Sequence, residues 1–400
     1  MIARTRYLNQ LSRWKGKHVI KVVTGMRRCG KSTLLQQFQD LLRSQGVDSS
    51  RIISVNFEDY VFESLLDPRA LHAYIIERLP DEGTAYVFLD EVQNVLDFQK
   101  VVDSLFIREN IDLYITGSNA YMLSGELATL LSGRYISIEM LPLSFAEYVD
   151  WCGDKADLPK KYVAYLENSS FPYALELGGN PKMIDEYLRG IYSTVVLKDV
   201  LARLKTSDPM ILESVLRFVF DGVGSIVSTK KIADTLTSSG RKIDARTVER
   251  YLSACIDSYI VYRVKRYDVK GKQHLKTLDK YYASDMGLRS MLLGRKYTDV
   301  GHILENVVYL ELVRRGYDVY IGKVDDMEID FVASGVDGLE YYQVAATVRE
   351  ESTLERELRV LRKVTDNYPK YLLSLDEDPA ADFDGIKKMN ALEWLLGGRQ

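Results

Sequence analysis

The sequence predicts an α/β protein built in successive parts, and three observations carry that reading. A β-branched run at residues 19–24 breaks into the loop Gly25-Met26-Arg27-Arg28-Cys29-Gly30-Lys31-Ser32 and continues as a helix. An apolar strand at 85–89 ends in Asp90-Glu91. From residue 301 the periodicity gives helix (301–315), strand (317–321), strand (327–333), strand (339–346), helix (351–366) and strand (370–375).

The loop fits G-x-x-x-x-G-K-[ST] in its strand–loop–helix setting. Its glycines let backbone N–H groups close around phosphate oxygens, and the helix N-terminus adds partial positive charge. Thr33 follows Ser32 on the first turn. Lys31 is placed to neutralise β- and γ-phosphates, and Ser32 to ligate Mg²⁺. The expected cofactors are ATP and Mg²⁺. In a parallel sheet ligands sit at the carboxyl ends of strands. Asp90 is therefore expected to hold Mg²⁺ through water, and Glu91 to orient the attacking water. A third strand, 112–117, ends in Ser118-Asn119, polar groups that suit the γ-phosphate or a helix cap equally. Arg134, before a further short strand, is a candidate for transition-state charge in cis or from a neighbouring subunit, or for a surface ion pair.

Length and composition bound the rest. Four hundred residues allow two to three domains. Hydrophobic content of 46% and charged content of 28% are those of a globular chain with a sizeable core. No apolar run of about 18 residues is present, so no membrane span is expected. Cys29, Cys152 and Cys255 are odd in number and far apart, which argues against a disulfide framework and for a reducing cytoplasm. Four scattered histidines make a zinc site unpromising. The net charge of −4 conceals a basic stretch: residues 225–280 hold 13 Lys/Arg against 6 Asp/Glu.

That stretch gives the middle of the chain its character. Residues 151–205 read as a helical lid or connector. From 206 to 295 the order is helix, helix, helix and a hairpin about Lys270-Gly271-Lys272, the order of a winged helix. Arg246, Arg250, Lys265, Arg266, Lys270 and Lys272 would line its recognition helix and wing. They suit DNA phosphates and specify no base. A protein-docking module is the competing reading.

The C-terminal order αβββαβ, residues 296–400, is that of a restriction-endonuclease-like core. Such a site gathers a helix Glu, a strand Asp and Glu-x-Lys on a metal. Here Glu305 and Asp330 match the first two roles. Gln343 and Ala345, two apart and so on one strand face, stand where Glu and Lys belong. Gln343 is a weak Mg²⁺ ligand and Ala345 has no amine, so a catalytically inactive nuclease-like site is expected. Lys363 is the candidate for a relocated lysine, without a spacing argument to select it.

The segments "TGMRRCGKSTLL", "YVFLDEVQNV", "ITGSNAYMLSGE" and "LSGRYISIEMLPLSFAEY" resemble those of AAA-type ATPases of bacteria and archaea, which carry a C-terminal domain of unknown function. The resemblance implies a P-loop ATPase domain at residues 1–150, then the connector, winged helix and nuclease-like domain. It settles chemistry better than purpose. One function expected is an Mg²⁺-dependent ATPase that moves a DNA-binding C-terminal half. Another is a switch that docks a protein partner with little turnover, and an active metal-dependent nuclease is a third. The oligomeric state is left open.

Overall fold

The computed structural model describes residues 2–120, 131, 133–201, 204, 208–274, 278–294 and 299–397, with backbone only at 196–198. Parts of the expected connector and hairpin, 202–203, 205–207 and 275–277, lie outside the described residues. The chain divides into two compact units. One is Met1–Leu141 with Asp257–Tyr259; the other is Pro142–Ile256 with Ile260–Gln400.

The first unit is built on a parallel sheet of β1 (Ile20–Thr24), β2 (Ile52–Asn56), β3 (Ala85–Asp90), β4 (Ile111–Gly117) and β5 (Tyr135–Glu139), in the order β2-β3-β4-β1-β5. Its central strands are apolar on both faces, as a sheet covered on both sides requires. Val22, Val87, Leu89 and Leu113 join one core cluster. Val23, Phe88 and Tyr114 join the other, with Leu34 and Phe38 of helix Lys31–Ser44. Because all five strands run the same way, every segment that follows a strand opens on one edge of the sheet. That edge carries the loop after β1, Glu91 after β3 and Ser118 after β4.

The second unit is partly helical. Helices Phe145–Cys152, Leu158–Asn168, Pro172–Glu176 and Pro181–Tyr192 come first. Helix Pro209–Asp221, β6 (Ile226–Val227), helix Thr229–Ser238, helix Ala245–Asp257, β7 (Val261–Val264) and β10 (Asp279–Ala283) follow, the three strands forming an antiparallel sheet in the order β6-β10-β7. Between β7 and β10 lie β8 (Arg266–Asp268) and β9 (Gln273–His274), an antiparallel pair about the expected Lys-Gly-Lys turn. The pair does not stand free: β8 runs parallel to β11 (Asp318–Val324) and so extends the C-terminal sheet.

The C-terminal elements keep the expected order. Helix Val300–Arg314 precedes β11, β12 (Met327–Gly335) and β13 (Gly338–Ala345); helix Glu351–Arg362 precedes β14 (Lys370–Ser374), β15 (Ala381–Phe383) and β16 (Ile386–Asn390). The full sheet is β15-β16-β14-β13-β12-β11-β8-β9.

The separate connector, winged-helix and nuclease-like parts expected from the sequence thus fall within one compact unit. Buried polar contacts tie them. The Asn306 side chain accepts from Ala283 N at 2.7 Å and donates to Ala283 O at 2.9 Å. Asp285 accepts from Ser170 N at 2.7 Å and from both serine hydroxyls, Ser169 at 3.0 Å and Ser170 at 2.6 Å. Helix Phe145–Cys152 lies in the second unit.

Candidate functional site

The loop after β1 takes its shape from its glycines. Gly25 has φ of +145°, and a Cβ there would lie 2.2 Å from the Met140 carbonyl oxygen. Gly30, with φ of +103°, caps helix Lys31–Ser44. The side chains of Met26 and Cys29 are buried. Arg4 holds the loop from beneath: its guanidinium donates to Cys29 O at 2.9 Å and to Leu141 O at 2.7 Å. Arg27 pairs with Glu58 at 2.8 Å, and Arg28 is exposed with φ of +67°. Ser32 lies exposed on the first helical turn and Thr33 half-exposed beside it.

Lys31 is buried and its ammonium turns back over the loop. It donates to Gly25 O at 3.1 Å and Met26 O at 3.3 Å, and lies 3.3 Å from Glu91 Oε1. Asp90 is bonded by Thr116 and Ser32. Burial nevertheless pushes its carboxyl up, with Glu91 adding to the effect. Glu91 follows β3 with φ of +55°, a left-handed conformation that persists where surroundings fix it. Here Glu91 N donates to Thr116 Oγ1 at 2.8 Å. Burial raises the Glu91 carboxyl, but the Lys31 ammonium and donors from Gln93 and Ser118 outweigh it and hold it below its ordinary value. Ser118 Oγ donates to Glu91 Oε2 at 2.9 Å, and Gln93 Nε2 to the same oxygen at 2.5 Å. Asn119 comes next in the chain, half-exposed. The donor set suits the expected cofactors: amides and an ammonium for phosphates, a hydroxyl and a carboxylate for Mg²⁺. Sequence reasoning missed Thr116, Gln93 and Arg4; Gln93, in "DEVQ", and Thr116, in "ITGSN", lie within legible motifs, and Arg4 does not.

Arg134 takes the ion-pair alternative. It precedes β5, and its carbonyl accepts from Ile20 N at the start of β1. It therefore lies at the amino edge of the sheet, while the phosphate loop leaves the carboxyl edge. Five strand residues, about 16 Å, separate the two edges. Its guanidinium pairs with Asp103. A role in cis at this site is excluded by geometry.

A second constellation lies in the other unit. Glu305, Asp330 and Gln343 converge. Asp330 Oδ2 accepts from Val344 N at 2.8 Å, and Gln343 Oε1 accepts from Asp330 N at 3.3 Å. Gln343 Nε2 donates to Glu357 Oε2 at 2.7 Å. The neighbouring cation is Lys280, on β10: its ammonium is 2.9 Å from Glu305 Oε1 and 2.8 Å from Glu328 Oε1. Asp330 is half-buried, and desolvation of its carboxyl with the Glu305 charge pushes it well up against the opposing pull of Lys280. Lys363, the lysine expected from sequence, is exposed just past helix Glu351–Arg362 and opens onto the Arg356–Arg359–Arg362 surface. Ala345 stands half-exposed at the end of β13.

Residues 17–149 match the family described as an AAA domain, and residues 159–299 match a domain of unknown function (DUF8612). An uncharacterised protein of Haemophilus influenzae is 40% identical over 402 residues, covering 99% of this chain and 99% of its own. The uncharacterised protein MJ1544 of Methanocaldococcus jannaschii is 30% identical over 363 residues, 86% of this chain and 78% of its own. The chain belongs to their family. The Walker-type ATPase PABY2304 of Pyrococcus abyssi is similar in fold, with a TM-score of 0.51 at 16% identity, over 73% of this chain and 96% of that one. The first unit of this family member is thus an AAA domain with a P-loop NTPase fold.

The expected DNA-contacting residues separate into two groups. Arg246 and Arg250 on helix Ala245–Asp257, with Lys265 and Lys272, are exposed. Arg266 and Lys270 have acidic neighbours. Lys270 pairs with Asp325 at 2.7 Å and Arg266 approaches Glu328 at 4.0 Å, because the hairpin that carries them is built into the acidic edge of the C-terminal sheet. No helix among the described residues is long and apolar enough to cross a membrane.

Proposed function

We propose that this protein is an Mg²⁺-dependent ATPase whose nucleotide state governs what its second unit holds. The observation that carries the reading is the meeting of Lys31, Asp90 and Glu91 at the carboxyl edge of one parallel sheet. Lys31 would lie against the β- and γ-phosphates. Ser32 and Asp90 would hold Mg²⁺, which supplies charge neutralisation on the transferring phosphoryl group when bound. Glu91, kept ionised by Lys31 and by its two hydrogen-bond donors, would orient the attacking water. Ser118 and Gln93 fix which way its carboxylate points.

The second unit is read as a winged helix fused to an inactive nuclease-like domain. The order helix, β6, helix, helix, β7, β10 and the sheet order β6-β10-β7 support the first part. DNA contact would run through Arg246, Arg250, Lys265 and Lys272. The order αβββαβ, with Gln343 and Ala345 in place of Glu and Lys, supports the second part. Metal-dependent cleavage of nucleic acid is not expected of it.

Steady-state ATP hydrolysis with and without duplex DNA tests the proposal. DNA-stimulated turnover supports it. Tight nucleotide binding without turnover would replace it with a switch that docks a partner.

A further inference from the structure

We propose that Lys280 is a built-in counter-ion: its ammonium takes the place a divalent cation would hold among Glu305, Glu328 and Asp330, and it locks strand β10 to the C-terminal sheet. The inference rests on the non-cleaving reading of that centre and gives its physical basis.

Each carboxylate of the centre already has partners. Glu305 Oε1 accepts from Lys280 at 2.9 Å and from the Tyr282 hydroxyl at 2.5 Å. Lys280 and Tyr282 are two apart on β10 and so share a strand face. The other Glu305 oxygen lies beside Gly224. Gly224 has φ of +74°, and a Cβ there would lie 3.1 Å from Glu305 Oε2. Glu328 Oε1 is 2.8 Å from the same ammonium, and its Oε2 is 4.0 Å from Arg266. Asp330 Oδ2 is held by Val344 N. Gln343, where a charged ligand would be needed, is spent on Asp330 N and Glu357.

The charges then balance without a metal. Lys280 and Arg266 face Glu305 and Glu328, so two cations meet two carboxylates. A divalent cation of this class takes six or more oxygens, or six in near-octahedral geometry. Among the described residues no group of three or more His, Cys, Asp or Glu side chains is arranged to hold one. Burying an ammonium is costly unless paired and hydrogen-bonded. Lys280 is only 5% exposed at its side chain, so its partners must be carboxylates that are themselves fixed. The arrangement joins β10, from the three-stranded sheet, to helix Val300–Arg314 and β12.

The test uses full-length protein carrying Asp90→Asn, so that the phosphate-loop site contributes no metal response. Thermal unfolding is followed for this parent and for versions with K280M, K280R, E305Q or K280M/E305Q, each with and without Mn²⁺. The expected result is a large fall in Tm for K280M and a smaller one for K280R. The double variant should lose less than the sum of its singles, because K280M strips the buried Glu305 carboxylate of its ammonium, a cost the double variant does not carry. The parent should show no Mn²⁺ response. Additive losses would overturn the inference. So would a Mn²⁺-dependent rise in the parent that Asp330→Asn abolishes. If K280M does not fold, folding of K280M/E305Q supports the inference, and failure of that pair while E305Q folds overturns it. Mn²⁺-dependent DNA cleavage by the unmutated chain, lost in Asp330→Ala, would sink the non-cleaving reading whatever the Tm values.

Discussion

Replacing Glu91 by Gln removes one charge and almost no volume. In the structure the Glu91 carboxylate is 3.3 Å from the Lys31 ammonium, with side-chain exposures of 7% and 3%. At that distance, and an effective dielectric constant of about 20, the gross attraction is about 5 kcal/mol. Most of it offsets the cost of burying the two charges. The amide oxygen of Glu91→Gln would still accept from Ser118 and Gln93, so the segment should keep its shape. Lys31 would be released toward the phosphates. We therefore expect ATP affinity to stay within about tenfold of the wild type, a difference of about 1.4 kcal/mol. Turnover should fall by roughly 10²–10⁴, the range for loss of a positioned acid–base group. Steady-state hydrolysis and equilibrium binding of a fluorescent nucleotide measure the two quantities separately. Unchanged turnover would remove Glu91 from the mechanism. A collapse of affinity together with turnover would make it a structural residue of the loop.

Gly25→Ala should abolish nucleotide binding, because its Cβ would lie 2.2 Å from Met140 O at a φ of +145° that side chains rarely adopt; retained binding in a filter assay would contradict this. Charge reversal at Arg246 and Arg250 should remove DNA binding, whose logarithm should fall linearly with the logarithm of salt before the change. Binding that survives both reversals would rule that helix out. Alkaline pH should unfold the second unit. Burial pushes Tyr281 up to about 12, and Tyr282, Tyr341 and Tyr342 are raised further, burial again being the main cause. Unfolded tyrosines ionise near 10, so above about pH 10 the folded state holds more protons. Stability then falls with pH, at up to about 1.4 kcal/mol per unit for each such tyrosine. Tyrosinate absorbance and far-UV circular dichroism should change together; ionisation without loss of structure would refute it.

What could be read in advance follows the range of the interactions. The phosphate loop, Lys31 and the Asp90-Glu91 pair are local patterns set in strand ends, and the structure brings them to one edge. Glu305, Asp330 and Gln343 were legible because the order αβββαβ assigns the first to its opening helix and the others to its second and third strands. Lys280 was not. In the sequence it is one lysine among thirteen cations in a basic stretch, 25 residues before Glu305, and only the packing of β10 on helix Val300–Arg314 brings the two together. Lys363 stood out instead because it belongs to the same αβββαβ segment. For Arg134 a rule already in hand told against the cis alternative: a residue that precedes a parallel strand lies on the edge opposite the ligand. The acidic neighbours of Arg266 and Lys270 were not legible because turn chemistry marks a hairpin without saying which sheet it will join. Here it joins β11, beside Asp325 and Glu328.

The central claim is that residues 19–139 form a working ATPase centre. The most direct measurement is release of phosphate from ATP by the purified full-length chain, with Mg²⁺ and with chelator, beside Lys31→Ala prepared identically. The expected result is Mg²⁺-dependent release that Lys31→Ala abolishes while its circular dichroism stays that of the wild type. Release that is equal in the wild type and Lys31→Ala, or none from a wild type that binds no ATP, would contradict it.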